Sequence, residues 1–250
     1  MPDNYPKVTI FSLIYNNAEF FEDALISVIN QTYPSEKIDH IIIDDCSIDN
    51  SVKLVTSLIS KYRHKCTFLK NKKNLGIARS LNKILKLAKG KYWTGIGDDI
   101  WKFDRLKVLV DSLEKSKLKS PLVCSNFIKF NNEKDILKEP HFPENYKFPS
   151  DAFTEFLVGK KLLIAAPTVM LNTSFLRKIG GYNENFFAED FDLWLKILSK
   201  YKIIYVNKVL IKYRIHKKNT STIYWEKLVK ESYQSIDNIQ DCNYLSDDQR

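Results

Sequence analysis

The amino-acid sequence predicts an α/β fold with a mostly parallel central sheet, helices on both faces of that sheet, and a C-terminal helical segment. Short apolar runs of strand type alternate with amphipathic helical patterns through the first 119 residues. This alternation is typical of a parallel sheet covered by helices. With 250 residues, 44% of them hydrophobic, the chain is long enough to bury a large core.

The strands are predicted from short apolar runs, and the helices from apolar side chains at intervals of three and four residues. A small set of residues marks the helix ends: Asn16 or Asn17 and then Asp49 as expected N-caps, and Gly90 as a stop signal. In chain order the elements are strand 8–14, helix 18–31, strand 38–43, helix 51–62, strand 66–69, helix 77–89, strand 91–96 and helix 104–115.

The second half of the chain is less regular. Residues 121–130 predict one or two strands, and residues 131–150 are polar and contain proline, which indicates a loop that could cover a site. Residues 191–201 form an amphipathic helical pattern. Residues 225–239 also have helical spacing; we expect this segment to pack on the core, with an interfacial or oligomer-forming helix as the alternative.

The charge and cysteine content restrict the class of protein. Lys and Arg total 39 against 30 Asp and Glu, a net charge of +9. This excess favours an anionic partner such as a nucleotide, an acidic membrane surface or nucleic acid, or serves solubility alone. The four cysteines form no C-x-x-C pair, so neither a zinc site nor a disulfide framework is indicated. No basic leader is present and the longest apolar run contains Pro167, so we expect a cytoplasmic protein that at most rests on a membrane.

Two acidic pairs follow predicted strands. Asp44 and Asp45 come after HIII, and Asp98 and Asp99 come after KYWTGI. In open α/β sheets, ligands bind beyond the carboxyl ends of the strands, so both pairs are predicted to face one crevice. Adjacent carboxylates disfavour each other's charge, and Mg²⁺ or Mn²⁺ would relieve that repulsion together with phosphate oxygens. A nucleoside diphosphate is therefore the expected ligand.

Five ordered segments resemble family 2 glycosyltransferases of the GT-A, Rossmann-like fold. They are VTIFSLIYNNAEFFEDALISVINQTYP, IIIDDCSIDNS, NLGIARSLNKILKLAKGKYWTGIGDD, APTVMLNTSFLRKIGGYNENFFAEDFDLWLKI and YRIHKKNTS, which together cover about residues 7 to 222. The resemblance implies a glycosyltransferase domain over 1–222, with a nucleotide-binding half (1–119), an acceptor-binding and catalytic half (120–222) and a helical extension over 223–250.

By this resemblance several residues would bind the nucleotide-sugar donor. Tyr15 would stack on the base beside Asn16, although it could equally belong to the core. Asp45 would read the base edge while Asp44 supports the turn. Arg79 would approach the phosphates, because a guanidinium suits phosphate oxygens; a solvated helix residue is the alternative.

The resemblance also assigns the metal and the chemistry. Asp99 would bind Mn²⁺ or Mg²⁺ directly, with Asp98 near the ribose or sugar. Asp190 would be the general base of an inverting transfer, and Glu189 would contact sugar hydroxyls; capping of the following helix is the structural alternative. His216 would approach the metal or diphosphate; a hydrogen-bonded surface or core histidine is the alternative.

The implied reaction transfers a sugar, most often from a UDP-sugar, to a hydroxyl of a saccharide or lipid-linked acceptor in cell-surface polysaccharide synthesis. The expected location is the cytoplasm, with peripheral contact at the inner face of the cytoplasmic membrane. Two departures from the family pattern matter. Cys46 stands where Gly is common, which predicts a negative φ there, and Gly97 stands where many members carry an additional Asp.

Other classes of function remain as alternatives. No G-x-G-x-x-G follows the first strand, which argues against an NAD-dependent oxidoreductase. The lysines are dispersed and not interleaved with aromatic residues, so nucleic acid is not expected as a partner. A non-catalytic nucleotide-binding scaffold, a basic nucleic-acid-binding module and a retaining transferase stay as alternatives to an inverting enzyme.

Overall fold

A computed structural model describes residues 5–131, 135–137, 139–158 and 164–241 of the chain. The strands are β1 (Val8–Ile14), β2 (Ile38–Asp44), β3 (Thr67–Lys70), β4 (Tyr92–Gly95), β5 (Ile100–Trp101), β6 (Leu122–Phe130), β7 (Met170–Asn172) and β8 (Ile204–Arg214). The helices are α1 (Phe21–Ile29), α2 (Ser51–Lys61), α3 (Ile77–Leu87), α4 (Arg105–Lys115), α5 (Ala152–Leu157), α6 (Thr173–Lys178), α7 (Glu189–Leu198), α8 (Thr220–Ile223) and α9 (Trp225–Asp241).

The described strands form one sheet in the order β3-β2-β1-β4-β7-β6-β8-β5. Strands β1 to β4 are parallel, with Val8 opposite both Ile38 and Tyr92. Strand β7 runs antiparallel to β4 and β6, while β8 is parallel to β6. The predicted α/β class with a mostly parallel sheet is confirmed, and the parallel strands β1, β2 and β4 end at the same edge.

Side chains alternate between the two faces of the sheet, and each face has its own apolar core. In β2, Ile41 and Ile43 pack with residues of α3 and α7, whereas Ile42 packs with residues of α1, α2 and α4. Consecutive residues of a strand point to opposite faces, so a strand covered on both sides is apolar throughout. This explains why β1 and β2 carry apolar residues on both faces, and it confirms the helices on both faces of the sheet.

Three strands of the sheet were not predicted from the sequence. Strand β5 has two residues and β7 has three, too few for a periodic pattern to be visible. Strand β8 is only partly buried over most of its length, so its apolar signal is weak. Residues 121–130, expected as one or two strands, form the single strand β6 from Leu122 to Phe130.

The turn after β2 corrects one expectation. Cys46 has φ +67°, in the left-handed region, where a negative φ was predicted. The reason is local hydrogen bonding: the Asp45 N–H donates to the Ile14 carbonyl at 2.8 Å and the Ser47 N–H donates to Asp44 Oδ2 at 3.1 Å. The chain must reverse direction between these two hydrogen bonds. The bonds offset the cost of the left-handed conformation, about 1–2 kcal/mol for a residue with a Cβ.

The C-terminal helix α9 packs on α7. Ile236 and Ile239 join the apolar core, and Glu231 Oε2 accepts hydrogen bonds from the N–H groups of Phe187 at 2.5 Å and Ala188 at 2.8 Å. Glu231 therefore fixes the backbone at the start of α7. The boundary between 222 and 223 stays a prediction, and residues 242–250 of the predicted extension, like 132–134, 138 and 159–163, lie outside the described residues. No helix in the described part of the chain has the length and apolar character needed to cross a bilayer.

Candidate active site

The first acidic group, Asp98 and Asp99, lies just beyond the carboxyl end of β4. The Nε2 atom of His216 is 2.5 Å from Asp98 Oδ2. The His216 side chain is only 4% exposed and its ring stacks on Phe20, with ring centroids 4.2 Å apart. The structure thus brings together two residues that are 118 positions apart in the sequence, and packing fixes the imidazole against the carboxylate.

Asp99 lies deeper than Asp98 and is 2% exposed. Its Oδ1 accepts a hydrogen bond from the Arg214 N–H at 2.9 Å. Burial, followed by the negative charge of Asp98, raises the pKa of Asp99 well above its ordinary value, against the lowering effect of Arg214 and Arg105. A further positive charge beside Asp99 would therefore be favourable.

Arg214 is a site residue that sequence reasoning missed. It is 2% exposed, its Nε donates to the Asp98 carbonyl at 2.7 Å, and its Nη2 donates to Asp23 Oδ2 at 2.8 Å. The guanidinium also lies over the ring of Phe130, 4.6 Å from the centroid. Arg214 ends the mainly apolar run of β8 in the sequence. Buried charges are normally paired, so a charged residue at the end of such a run is the signal that could have indicated Arg214 as a site residue.

The second acidic group opens helix α7. Glu189 and Asp190 are half-buried in its first turn, where the positive end of the helix dipole favours carboxylates. Asp190 Oδ1 accepts a hydrogen bond from the Phe191 N–H at 2.8 Å. Burial and then the charge of Asp190 raise the pKa of Glu189 well above its ordinary value, and burial raises the pKa of Asp190 as well. Raised carboxylate pKa values in a cleft are typical of general acid and base sites.

A cleft of about 160 Å³ lies against this second group, Glu189 and Asp190. It is bounded by β1, β4, α3, residues 166–171 and the start of α7, and both Glu189 and Asp190 line it. Ile96 and Gly97, which directly precede Asp98, belong to the same wall. The cleft therefore begins next to the first acidic group and contains the second.

Tyr213 connects the two acidic groups electrostatically. Burial, together with the charges of Asp99, Asp98 and Asp190, raises the pKa of this phenol to about 12. One hydroxyl therefore lies within electrostatic range of both carboxylate groups. The site therefore contains two acidic groups. Asp98 and Asp99 are suited to a cation, and Glu189 and Asp190 are suited to accepting a proton.

The acidic pair after β2 has a different environment. Asp45 Oδ1 accepts hydrogen bonds from Asn71 Nδ2 at 2.7 Å, the Leu75 N–H at 2.9 Å and Ser80 Oγ at 3.1 Å, and its Oδ2 accepts one from the Gly76 N–H at 2.9 Å. Asp45 therefore ties the segment leading into α3 to the end of β2. Asp44 is also buried. Both oxygens of the Asp45 carboxylate are thus bonded inside the chain, and contact of Asp45 with a base stays a prediction.

The other predicted donor residues lie around this edge. Tyr15 follows β1 with 45% of its surface exposed, so it is not a core residue. Asn16 has φ +52°, and its Oδ1 accepts a hydrogen bond from the Ile48 N–H at 3.0 Å, which joins the turns after β1 and β2. Arg79 is 55% exposed, with its Nε 3.6 Å from Glu184 Oε2. The geometry leaves the Tyr15 and Arg79 side chains accessible to a ligand.

The donor set at Asp98 and Asp99 fits a divalent cation. Carboxylate oxygens suit Mn²⁺ or Mg²⁺, and the burial of Asp99 beside Asp98 disfavours the charge of Asp99 unless a cation balances it. The described residues contain no group of three or more His, Cys, Asp or Glu side chains placed as a closed metal site. Such a cation would therefore take its remaining ligands from the substrate and water.

The fold and the acidic cleft are those of an α/β protein with a candidate catalytic site, and the sequence comparisons specify the family. The family model described as Glycosyl transferase family 2 matches residues 9–180. The chain belongs to glycosyl transferase family 2, which confirms the resemblance drawn from the motifs.

Two curated relatives illustrate the similarity. An uncharacterized glycosyltransferase of Methanocaldococcus jannaschii is 31% identical over 218 residues, covering 84% of this chain and 71% of the relative. A Bacillus subtilis protein, provisionally named as the teichuronic acid biosynthesis glycosyltransferase TuaG, is 29% identical over 228 residues, covering 90% of this chain and 85% of the relative.

Solved structures confirm the GT-A fold. The mannosyltransferase PcManGT from Pyrobaculum calidifontis, in complex with GDP-Man and Mn²⁺, has a TM-score of 0.66 at 18% identity over 94% of this chain. S. aureus TarS 1–349 in complex with UDP-GlcNAc has a TM-score of 0.65 at 18% identity over 93% of this chain. The chain spans 66% of the first of these proteins and 65% of the second.

Proposed function

We propose that this protein transfers a sugar from a nucleoside-diphosphate donor to an acceptor hydroxyl with inversion at the anomeric carbon. The observation that carries the proposal is that one cleft begins beside Asp98, which pairs with His216, and is lined by Glu189 and Asp190. A donor needs its diphosphate at the first group and its anomeric carbon facing the second.

On the donor side, the base would lie at the ends of β1 and β2. Tyr15 is exposed there and available for stacking, next to Asn16 and Asp45. Arg79, whose guanidinium is more than half exposed, would reach the phosphates. The neighbouring structures were solved with UDP, UDP-GlcNAc and GDP-Man, and we expect UDP here because a carboxylate such as Asp45 can accept the imino proton of uracil.

Asp98 and Asp99 would hold Mn²⁺ or Mg²⁺ together with the diphosphate, and His216 would hold Asp98 in position. When bound, such a cation offsets the negative charge that develops on the departing nucleoside diphosphate. The presence of Mn²⁺ in the mannosyltransferase structure supports this assignment. Arg214 fixes Asp99 and the backbone of Asp98, so the two carboxylates are oriented before a donor arrives.

Asp190 would act as the general base. It accepts the proton of the acceptor hydroxyl while that oxygen bonds to the anomeric carbon and the bond from this carbon to the diphosphate oxygen breaks. A raised pKa brings a carboxylate closer to the working pH and so strengthens it as a base. Glu189, beside it, would hydrogen-bond sugar hydroxyls.

The proposal is tested with a panel of UDP-, GDP-, dTDP- and CMP-sugars and candidate acceptors, with nucleotide release measured and the product anomer determined by NMR. The parent should consume one donor and give the inverted product. Asp190→Asn should be slower by about 10²–10⁴-fold, whereas Asp237→Asn, on the exposed face of α9, should match the parent. Full activity in Asp190→Asn, or a retained anomer, contradicts the mechanism, and no turnover of any donor favours a non-catalytic scaffold.

The acceptor is proposed to be a saccharide or a lipid-linked saccharide at the inner face of the cytoplasmic membrane. Support comes from helix α9, where Trp225, Val229 and Tyr233 recur every four residues and are 58%, 47% and 67% exposed. Such a stripe of aromatic and apolar residues suits the interfacial zone of a bilayer. The Bacillus subtilis relative, named for teichuronic acid biosynthesis, supports an acceptor in cell-surface polysaccharide.

Vesicle sedimentation tests this contact. The parent should co-sediment with anionic phospholipid vesicles at low salt, and Trp225→Ser should bind severalfold less. Phe103→Ser removes an aromatic side chain that is 63% exposed outside α9 and should bind like the parent. Failure of the parent to sediment with the vesicles contradicts membrane contact and leaves a saccharide acceptor in solution.

A further inference from the structure

The start of helix α7 lacks a capping side chain of its own. Ala188 occupies the N-cap position, where Ser, Thr, Asp or Asn usually supplies a side-chain oxygen, and it makes no side-chain hydrogen bond. Ala188 is also only 2% exposed, so its N–H has little access to water. A buried N–H without an acceptor is costly. The proposed catalytic pair, Glu189 and Asp190, follows directly, so its orientation depends on an acceptor from another part of the chain.

Helix α9 supplies that acceptor. Glu231 Oε2 accepts a hydrogen bond from the N–H of Phe187 at 2.5 Å and another from the N–H of Ala188 at 2.8 Å. The Glu231 side chain is 11% exposed, and Lys227 Nζ lies 3.8 Å from its other oxygen, Oε1. The helix dipole also favours a carboxylate at this end of α7. Glu231 therefore performs the capping role that Ala188 cannot.

Two further side chains from the same part of the chain contact Phe187. The ring of Tyr224 packs edge-on against the Phe187 ring, with ring centroids 4.9 Å apart, and Lys227 Nζ lies 4.7 Å from the centroid of the Phe187 ring. Glu231 itself does not line the cleft, whereas the first two residues of α7 do. An effect of Glu231 on the reaction must therefore pass through the start of α7.

From these contacts we propose that Glu231 is a positioning residue for sugar transfer, which fixes the start of α7 so that Asp190 is held in the cleft wall. The inference rests on the proposed function, in which Asp190 is the general base. It extends the functional part of the chain to α9, which lies beyond the residues 9–180 that the family model matches. A misplacement of about 1 Å can cost about 10²-fold in rate, so loss of this acceptor should lower kcat.

Substitutions of Glu231 separate the accepting oxygen from the volume of the side chain. Both hydrogen bonds end on the same atom, Oε2, so the amide oxygen of Glu231→Gln can accept both. Glu231→Leu has a similar volume but no acceptor, and Glu231→Asp withdraws the carboxylate by one methylene. With the donor and acceptor identified in the panel of nucleotide sugars, Glu231→Leu and Glu231→Asp should lower kcat about 10–100-fold. Glu231→Gln should stay close to the parent.

The separate values of kcat and KM distinguish positioning from loss of stability. The donor diphosphate would bind at Asp98 and Asp99, and not at α7, so the KM for the donor should match that of the parent in every Glu231 variant. Ile239→Ala is the matched control, because Ile239 is 3% exposed on the same helix and removing its side chain takes away packing but no acceptor. It should lower the melting temperature and leave kcat unchanged at a temperature where the variant is folded.

Two measurements test the route through Asp190. In an Asp190→Asn background, Glu231→Leu should have little further effect on kcat, because the carboxylate that Glu231 positions is already gone. Hydrogen exchange of the Phe187 and Ala188 amides, followed by NMR, tests the contact without any substrate. Exchange at both amides should be slow in the parent and in Glu231→Gln, and severalfold faster in Glu231→Leu.

The outcomes distinguish this inference from the proposed function. The inference is overturned and the proposed function stands if Glu231→Leu and Glu231→Asp keep the kcat of the parent, or if Ile239→Ala loses as much kcat as Glu231→Leu. The same holds if Glu231→Leu costs an equal factor with and without Asp190, or if the two amides exchange equally fast in the parent and in Glu231→Leu. If the parent turns over no donor, the inference and the proposed function fail together.

Discussion

His216 Nε2 lies 2.5 Å from Asp98 Oδ2, and the imidazole is held there by stacking on Phe20. We expect His216→Gln to weaken Mn²⁺-dependent nucleotide binding about 10–100-fold, because residues that orient a metal ligand have effects of this size. Titration of Mn²⁺ at fixed nucleotide measures the loss. The same substitution in an Asp98→Asn background should then have little further effect; equal losses in both backgrounds would show that His216 does not act through Asp98.

Glu189 should make the fold less stable as the pH rises. Its pKa is raised in the folded protein, mainly by burial and then by Asp190, so its favourable contribution is present at low pH and lost above the ordinary value of 4.5. Glu189→Gln should therefore melt at a higher temperature than the parent at pH 7.5, and the difference should vanish near pH 4.5. Glu226→Gln, at an exposed position of α9, is the control. A difference that does not change with pH contradicts the assignment.

A pair formed by the buried His40 and the half-buried His64 should give the opposite pH dependence. His40 Nδ1 is 2.8 Å from His64 Nε2, and His40 Nε2 is 3.0 Å from Ser12 Oγ. Burial lowers the pKa of both rings below the ordinary value of 6.5, and for His40 the neighbouring His64 adds to the effect. Both rings are thus neutral in the folded chain, and stability is lost as the pH falls below 6.5, where the unfolded chain takes up protons.

The measurement is the free energy of unfolding in urea between pH 7.5 and 5. Each histidine contributes at most about 1.4 kcal/mol per pH unit to the slope below its unfolded pKa. His64→Gln should reduce the slope relative to the parent by up to that amount. Identical slopes in the two proteins would show that His64 takes up its proton equally in the folded and unfolded chains, which contradicts a lowered pKa in the folded chain.

Gly181 should be intolerant of a side chain. It has φ +78°, and a Cβ there would lie 2.4 Å from Asn82 Oδ1, the atom that accepts the Tyr182 N–H at 2.9 Å. Gly181→Ala should cost about 1–3 kcal/mol of unfolding free energy. Gly180→Ala has the same kind of backbone, φ +91°, but nothing within 4 Å, and Gly97→Ala has neither feature. The expected order of destabilisation is Gly181, Gly180, Gly97; equal effects would contradict it.

The sequence predicted strands and helices best where the local hydrophobic pattern agrees with the burial of the side chains. Strands β1 and β2 and helices α2 and α4 were predicted within one or two residues, because each is long enough to show its periodicity. The short strands β5 and β7 exist only because a neighbour pairs with them, and no local pattern encodes that pairing. Cys46 shows a similar limit: hydrogen bonds from the flanking residues determine its positive φ, against the preference of its own side chain.

The candidate site was predictable in part. Acidic pairs after two parallel strands could be located from strand ends alone, whereas the pairing of Asp98 with His216 needed the fold. Arg214 and Glu231 were missed because charged residues are normally exposed, and both are buried with partners distant in sequence. The cleft was also missed, since residues such as Trp194 that line it have the same helical spacing as core residues.

The proposed nucleotide site is tested most directly by thermal stabilisation with UDP, GDP, dTDP and CMP, each with and without Mn²⁺. A ligand that binds only the folded chain must raise its melting temperature, by the equivalent of about 2.7 kcal/mol at 100 times the dissociation constant. We expect a Mn²⁺-dependent shift with one nucleotide, strongly reduced in Asp99→Ala and Asp98→Asn and preserved in Asp237→Asn. No shift with any nucleotide, or an equal shift in Asp99→Ala, would contradict a cation-dependent nucleotide site at the end of β4.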